Sequence, residues 1–211
     1  MTPRSKDELR RVLRAQRRQH TRAAGNAARD ALAGGWLDLS SRMELTPRTV
    51  AGYLPMPTEP DDTGTLEILH AAGCTVVVPV VVAHRRLQWH LWRPGDETGI
   101  ADFGIPVPTG SAPGAAGAAA NLGEVDVVLV PALAAAPDGV RLGQGGGYYD
   151  RALAAVARFA AGGPLRIAVV NDEEVLAAGQ IPQESHDAGI DVVLTPRRWL
   201  RCLSPAAQEQ D

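Results

Sequence analysis

The sequence is short of cysteine, of aromatic residues and, above all, of lysine. Its two cysteines, Cys74 and Cys202, stand far apart and form no CxxC pair. That excludes a disulfide-stapled scaffold and a cysteine-based zinc site. It points to a reducing compartment, the cytoplasm. Aromatic residues make up 4% of the chain, so the neighbouring Tyr148 and Tyr149 stand out. Lys6 is the only lysine; arginine takes its place everywhere else. No apolar run approaches the ~18 residues needed to span a bilayer. The Arg-rich start carries Asp7 and Glu8 and lacks an apolar segment, so it does not read as a secretory signal. Formal charge is −3, which gives no global case for nucleic acid or an anionic membrane as partner.

What remains is an ordinary globular composition, with 45% hydrophobic and 21% charged residues in a chain of 211. This fits a single domain over 1–211 with a sizeable core. Ser5, with Glu8 three residues on, opens a helix. Leu9, Val12 and Leu13 give that helix an apolar stripe. Lys6, Arg10 and Arg14 repeat at i, i+4 and i+8 on a neighbouring face. Gly25 and the Gly34–Gly35 pair punctuate one or two helices.

Further on, 48–56 reads as a strand, 65–73 as a helix stopped by Gly73, and 74–82 as a buried strand. Pro79 inside that strand implies an edge or a bulge. Its hairpin partner is 87–92. The stretch 110–123 is low in complexity and reads as a surface loop. Strands follow at 125–130, 165–170 and, last, 191–195. Their alternation with helices predicts an α/β fold: a mostly parallel central sheet, helices on both faces, and a basic amino-terminal helix.

The most informative stretch is RLGQGGGYYDR, 141–151. It is placed after a buried strand and at the start of a helix, the edge where α/β sheets bind ligands. Gly143, Gly145, Gly146 and Gly147 permit positive φ and close approach of an oxygen, and the helix start offers free N–H groups. Arg141 adds a charged fork. Neither common nucleotide motif fits. A Walker A loop needs a lysine, and a dinucleotide loop counted from Gly143 needs glycine where Tyr148 stands. A tight strand-to-helix turn would also need small residues. Asp150 suits the helix dipole as well as a magnesium ion. A nicotinamide-dependent oxidoreductase is the competing class, with Asp172 at the end of a later strand as its ribose-binding acid.

The longer stretch DVVLVPALAAAPDGVRLGQGGGYYDR resembles the 5-formyltetrahydrofolate cyclo-ligase (5,10-methenyltetrahydrofolate synthetase) family. Pro131-Ala132-Leu133, Asp138-Gly139 and Arg141 through Asp150 follow that family's order. Lys6 and Arg10 resemble its amino-terminal Lys-x-x-x-Arg, YLPMPTEPD its segment with Leu54 and Glu59, and PQESHD its late segment with Asp187. The resemblance runs from about residue 5 to 196. Gln144, Gly146 and Val107 depart from what many relatives carry at those positions.

The resemblance implies an enzyme that uses ATP and Mg²⁺ to close 5-formyltetrahydrofolate into 5,10-methenyltetrahydrofolate through an iminium phosphate. ATP would be held by Lys6, Arg10, Arg141 and Leu142, by Gly143, Gln144, Gly145, Gly146 and Gly147, and by Tyr148 and Tyr149. Arg141 and Tyr149 would be catalytic. Leu54, Glu59, Gly145, Gly147 and Tyr148 would face the folate, with Glu59 on the pterin N–H groups. Asp150 and Asp187 would hold the metal. One of the two tyrosines is expected to pack on adenine or pterin and the other to join the core. Such an enzyme is expected to act on small molecules as a monomer.

Overall fold

A computed structural model describes residues 5–101, 104–109 and 121–203, and of 20–25 the backbone alone. The chain opens with one helix, α1 (Lys6–Arg42). Ser5 caps it as expected, its hydroxyl accepting the Glu8 N–H at 3.2 Å. Gly25 and Gly34–Gly35 do not break it. Gly35 lies where the helix crosses the sheet, and a Cβ there would sit 3.0 Å from the Leu194 side chain. That glycine therefore serves close packing rather than termination.

Among the described residues, seven strands form the main sheet: β1 (Thr49–Ala51), β2 (Thr75–Val82), β3 (Arg86–Leu91), β6 (Val127–Pro131), β9 (Leu165–Val169), β10 (Val192–Leu194) and β11 (Trp199–Arg201). Their order is β11-β10-β9-β6-β1-β2-β3. The five inner strands are parallel, with registers such as Val50↔Val127 and Val127↔Leu165, and each edge strand is antiparallel. Two small ribbons stand apart: β4 (Thr98–Ile100) with β5 (Pro106–Pro108), and β7 (Ala134–Ala135) with β8 (Arg141–Leu142).

One face of the sheet is covered by Leu32, Trp36 and Leu39 of α1 and by Leu66 of α2 (Thr63–Ala71), packed on Val50, Leu129 and Ile167. The other carries α3 (Tyr148–Ala154), whose Leu153 meets Val77, Trp89, Val128 and Val130. Helices on both faces of a mostly parallel sheet are as the alternation predicts.

Several expectations need correction. The first strand is three residues long and gives way to a loop at Gly52. The strand at 192–194 is not the last, since β11 pairs beside it. The glycine loop does not follow β6 directly; the β7–β8 ribbon intervenes. Helix α3 ends at Ala154, where Arg166 of β9 donates to the carbonyls of Leu153, Val156 and Ala157 at 3.0–3.1 Å and closes the turn. Residues 110–120 of the low-complexity stretch lie outside the described residues, and at its end Leu122 is buried instead of forming surface.

Pro79 behaves as its chemistry demands. Strand β1 pairs with β2 only as far as Val77, whose carbonyl accepts the Gly52 N–H. Pro79 is two residues on, so its nitrogen faces the same flank, where no strand continues. No ladder bond is lost. That open flank is one wall of the cleft described next.

Candidate active site

Beyond the carboxyl ends of β1 and β6 lies a cleft of about 1110 Å³. Pro79 and Val81 of β2, Pro131 at the end of β6, and Tyr53 and Leu54 after β1 form its apolar walls. Helix α1 supplies Lys6, Arg10 and Arg14; the loop from Arg141 to Asp150 forms a third side. The volume is at the upper end of single-ligand sites and gives room for a nucleotide beside a second molecule.

The loop is shaped by its own glycines and held by α1. Gly145 and Gly147 have φ of 97° and 65°, which other residues rarely adopt. Arg10 Nε donates to the Gly143 carbonyl at 3.1 Å. Arg14 grips Gln144 twice, Nε to Oε1 at 3.1 Å and Nη2 to the backbone carbonyl at 2.6 Å. The carbonyls at 143 and 144 are thus turned to α1.

Charged groups meet in pairs. Arg141 is 5% exposed and donates to Asp150 Oδ1 at 2.6 Å. The same oxygen accepts the Ala188 N–H at 3.2 Å, tying α3 to the late loop. Lys6 Nζ meets both oxygens of Asp187, at 2.6 and 2.8 Å, and Glu184 at 3.3 Å. Burial opposes the charge on Asp187, but Lys6 and the Glu184 N–H hold its carboxyl below the usual range. Glu184, His186 and Asp187 bring three ligand atoms within 4.8 Å of one another.

Among the described residues, two buried donors on the cleft have no partner: Arg141 Nε and the Tyr149 hydroxyl. Buried donors are costly when unpaired, so both are positioned to take acceptor oxygens from a ligand. Burial, then the nearby Glu59, raises the Tyr149 hydroxyl, and Arg141 lowers it less; the group stays protonated. Its ring packs edge-on against Trp89, with centroids 6.1 Å apart. Tyr149 is therefore the core tyrosine of the pair. Tyr148 turns toward the Arg151 guanidinium, 5.4 Å from the ring centre. Glu59 is partly buried and accepts the Met56 N–H at 3.1 Å. Burial raises its carboxyl, opposed by the Met56 N–H, Arg17 and Gln144.

The chain matches the sequence profile of the 5-formyltetrahydrofolate cyclo-ligase family over residues 2–196. The chain belongs to that family. A 5-formyltetrahydrofolate cyclo-ligase of Mycolicibacterium smegmatis is 39% identical over 208 residues, covering 96% of this chain and all of the relative. The fold of a 5,10-methenyltetrahydrofolate synthetase of Aquifex aeolicus superposes with a TM-score of 0.70 at 26% identity, over 93% of this chain and 92% of the other. A second synthetase, from Mycoplasma pneumoniae, shares the fold with a TM-score of 0.63 at 18% identity, over 88% and 97%. Membership makes the chain a cyclo-ligase enzyme.

Within this cyclo-ligase fold, the residues singled out from the sequence come together. Lys6, Arg10, Leu54, Glu59, the stretch from Arg141 to Asp150, and Asp187 all line the one cleft. Asp172 does not. It accepts the Thr195 hydroxyl at 2.8 Å, away from the glycine loop, which leaves the oxidoreductase alternative without its ribose acid. Sequence reasoning passed over Glu184 and Arg14 as site residues. The signals were there: Glu184 is three positions before Asp187, and Arg14 continues the Lys6–Arg10 spacing. Among the described residues no helix is long and apolar enough to cross a membrane.

Proposed function

We propose that the chain catalyses the ATP- and Mg²⁺-dependent closure of 5-formyltetrahydrofolate to 5,10-methenyltetrahydrofolate, with release of ADP and phosphate. The observation that carries this reading is the convergence of Lys6, Arg10, Arg141 and the glycine loop on the same cleft as Leu54 and Glu59. We read the enzyme as a cytoplasmic monomer acting on small molecules.

A formamide oxygen is a poor leaving group. In this reading the formyl oxygen takes the γ-phosphoryl group of ATP, breaking the bond to ADP and giving an iminium phosphate. N10 then attacks the formyl carbon and gives up its proton to water, and phosphate leaves with the former formyl oxygen. Catalysis of this kind needs positioning and charge neutralisation and no protein nucleophile. Arg141 Nε and the Tyr149 hydroxyl are the unpartnered donors suited to the phosphoryl and formyl oxygens. The loop N–H groups, Lys6 and Arg10 suit the remaining phosphate charge. Leu54 forms an apolar wall, and the Glu59 carboxylate accepts pterin N–H groups.

Asp150 and Asp187 would hold Mg²⁺, which when bound neutralises phosphate charge. Their oxygens are hard donors suited to that ion. Both are now paired with cations, Arg141 and Lys6. A bound metal would be held by both carboxylates; Lys6 would then leave Asp187 for phosphate, while Arg141 would keep its bond to Asp150 and offer Nε to phosphate. No charge is stranded in either state.

Purified protein given MgATP and 5-formyltetrahydrofolate is expected to produce the absorbance of the methenyl product. No product at any pH from about 5 to 8 overturns the reading. Arg141→Ala is expected to weaken ATP more than folate, and Glu59→Gln the reverse. Equal effects on both ligands would undo that division of roles.

A further inference from the structure

Arg151 of α3 is exposed and is not among the residues that line the cleft, yet three parts of the cleft wall converge on its guanidinium. Its Nε and Nη2 both donate to the Arg85 carbonyl, at 3.2 and 2.9 Å. Nη2 also donates to the Gly146 carbonyl at 3.0 Å. The centre of the Tyr148 ring lies 5.4 Å from the same group, within cation–π range. Arg85, Gly146 and Tyr148 all line the cleft. One side chain thus ties together the β2–β3 turn, the glycine loop and an aromatic ring.

Each of the three needs holding. The turn carries two successive non-glycine residues in the left-handed region, His84 at φ 60° and Arg85 at φ 55°. Backbone of that kind persists where neighbouring structure fixes it, and the Arg151 fork does so at the Arg85 carbonyl. At Gly146 the trans peptide sets the carbonyl and the following N–H on opposite sides. With that carbonyl turned to Arg151, the Gly147 N–H is turned the other way, and among the described residues it donates to no group. The ring is hemmed in by the loop itself: a Cβ at Gly146 would come 2.7 Å from Tyr148 Cδ2 and Cε2. Tyr148 therefore lies against the Gly146 backbone, with Arg151 as its second boundary.

We propose that Arg151 is a clamp that presets the glycine loop and the Tyr148 ring for the nucleotide, by pinning both to the β2–β3 turn. The inference rests on the proposed role of that loop in holding ATP. Arg151 is a positioning residue, since it acts through the Gly146 carbonyl and the Tyr148 ring. Its task depends on shape as well as charge. A planar fork meets two carbonyls and a ring in fixed directions, whereas an ammonium is a point charge on a flexible stem.

Titration calorimetry with MgATP, and steady-state kinetics with both substrates varied, test this on Arg151→Lys, Arg151→Met, Gly146→Ala and the pair Gly146→Ala with Arg151→Met. Arg151→Lys is the decisive variant, because it keeps the charge and loses the fork. The expected result is about tenfold weaker MgATP binding in both variants at 151, a matching rise in ATP KM, and a 5-formyltetrahydrofolate KM within about twofold of wild type. Gly146→Ala displaces the ring without straining the backbone, since Gly146 is not among the glycines of positive φ. It is expected to weaken MgATP as well, and the pair no further than Arg151→Met alone, because both changes free the same ring. Wild-type MgATP affinity in Arg151→Lys overturns the clamp alone, and so does a fully additive pair. An equal rise in both KM values with a lowered Tm makes Arg151 a structural tie and overturns the clamp too. Wild-type protein that binds no MgATP overturns the clamp together with the proposed function.

Discussion

Asp62 is the place where pH should act on this fold. It immediately precedes α2, and its side chain is fully buried, with no hydrogen bond of normal geometry to either oxygen. The adjacent Asp61 bonds the first turn from solvent instead, through the Thr63 N–H at 3.0 Å and hydroxyl at 2.6 Å. Burial pushes the Asp62 carboxyl from 3.8 up to about 7; the Thr65 hydroxyl opposes this and Asp61 adds to it. The raised value means the folded chain holds the proton more tightly than the unfolded one. The stability this confers is complete below about pH 4 and is lost as pH climbs to about 7. At pH 5 the cost of ionisation is near 1.7 kcal/mol, at pH 8 roughly 4 kcal/mol, a growth of about 2.5 kcal/mol. Asp62→Asn mimics the protonated acid and removes the titration. Its Tm relative to wild type should therefore improve by about 5–10 °C more at pH 8 than at pH 5 for a chain of this size. Thermal melts of both proteins at the two pH values decide the matter. An equal Tm difference at pH 5 and pH 8 would falsify the reasoning, because every other titrating group is shared by the pair.

Two further outcomes test the frame around the cleft. Glu174→Ala removes the partner of Arg17, which is 2% exposed and pairs at 2.5–2.6 Å, so a denaturant titration should show a loss of about 3–5 kcal/mol; a loss under about 1 kcal/mol would mean that the pair does not anchor α1. Gly163→Ala puts a Cβ 2.0 Å from the Ala157 carbonyl oxygen, in the turn that Arg166 closes, and should cost roughly 3 kcal/mol; an unchanged Tm would refute that reading of the turn.

The parts of the site that were legible in the sequence are those built from local backbone demands. Glycines at 145 and 147 announce positive φ, and Pro79 announces an unpaired flank, because each residue type restricts its own conformation. Arg17 shows a signal that was present and misleading. By type it belongs to a solvated charge run, but by position it continues the stripe of Leu9 and Leu13 at i+4 and i+8. Position won, because Glu174 and the Ala132 carbonyl satisfy the guanidinium in the core. The β7–β8 ribbon left no trace at all: two alanines paired with Arg141–Leu142 carry no period. Nor could any spacing rule join Lys6 to Asp187 across nearly the whole chain.

That last pairing gives the lone lysine a physical reason. On the proposed reading, a site that must release its cation when a metal arrives would favour a compact ammonium, which meets a carboxylate as a point charge and can turn to phosphate through several rotatable bonds. An arginine fork at position 6 would hold Asp187 with two parallel bonds and resist the exchange. At Arg141 the demand differs. One nitrogen is committed to Asp150 while Nε stays unpartnered and buried beside the cleft. A single guanidinium can serve carboxylate and phosphate at once, because its donors point in fixed, separate directions. On the proposed reading the cleft would use the two cation types for two tasks, one meant to move and one meant to stay. Lys6→Arg should then weaken the Mg²⁺ dependence of ATP binding more than binding of 5-formyltetrahydrofolate. Equal affinity of wild type and Lys6→Arg for MgATP, measured by titration calorimetry, would remove the reason given for the lysine.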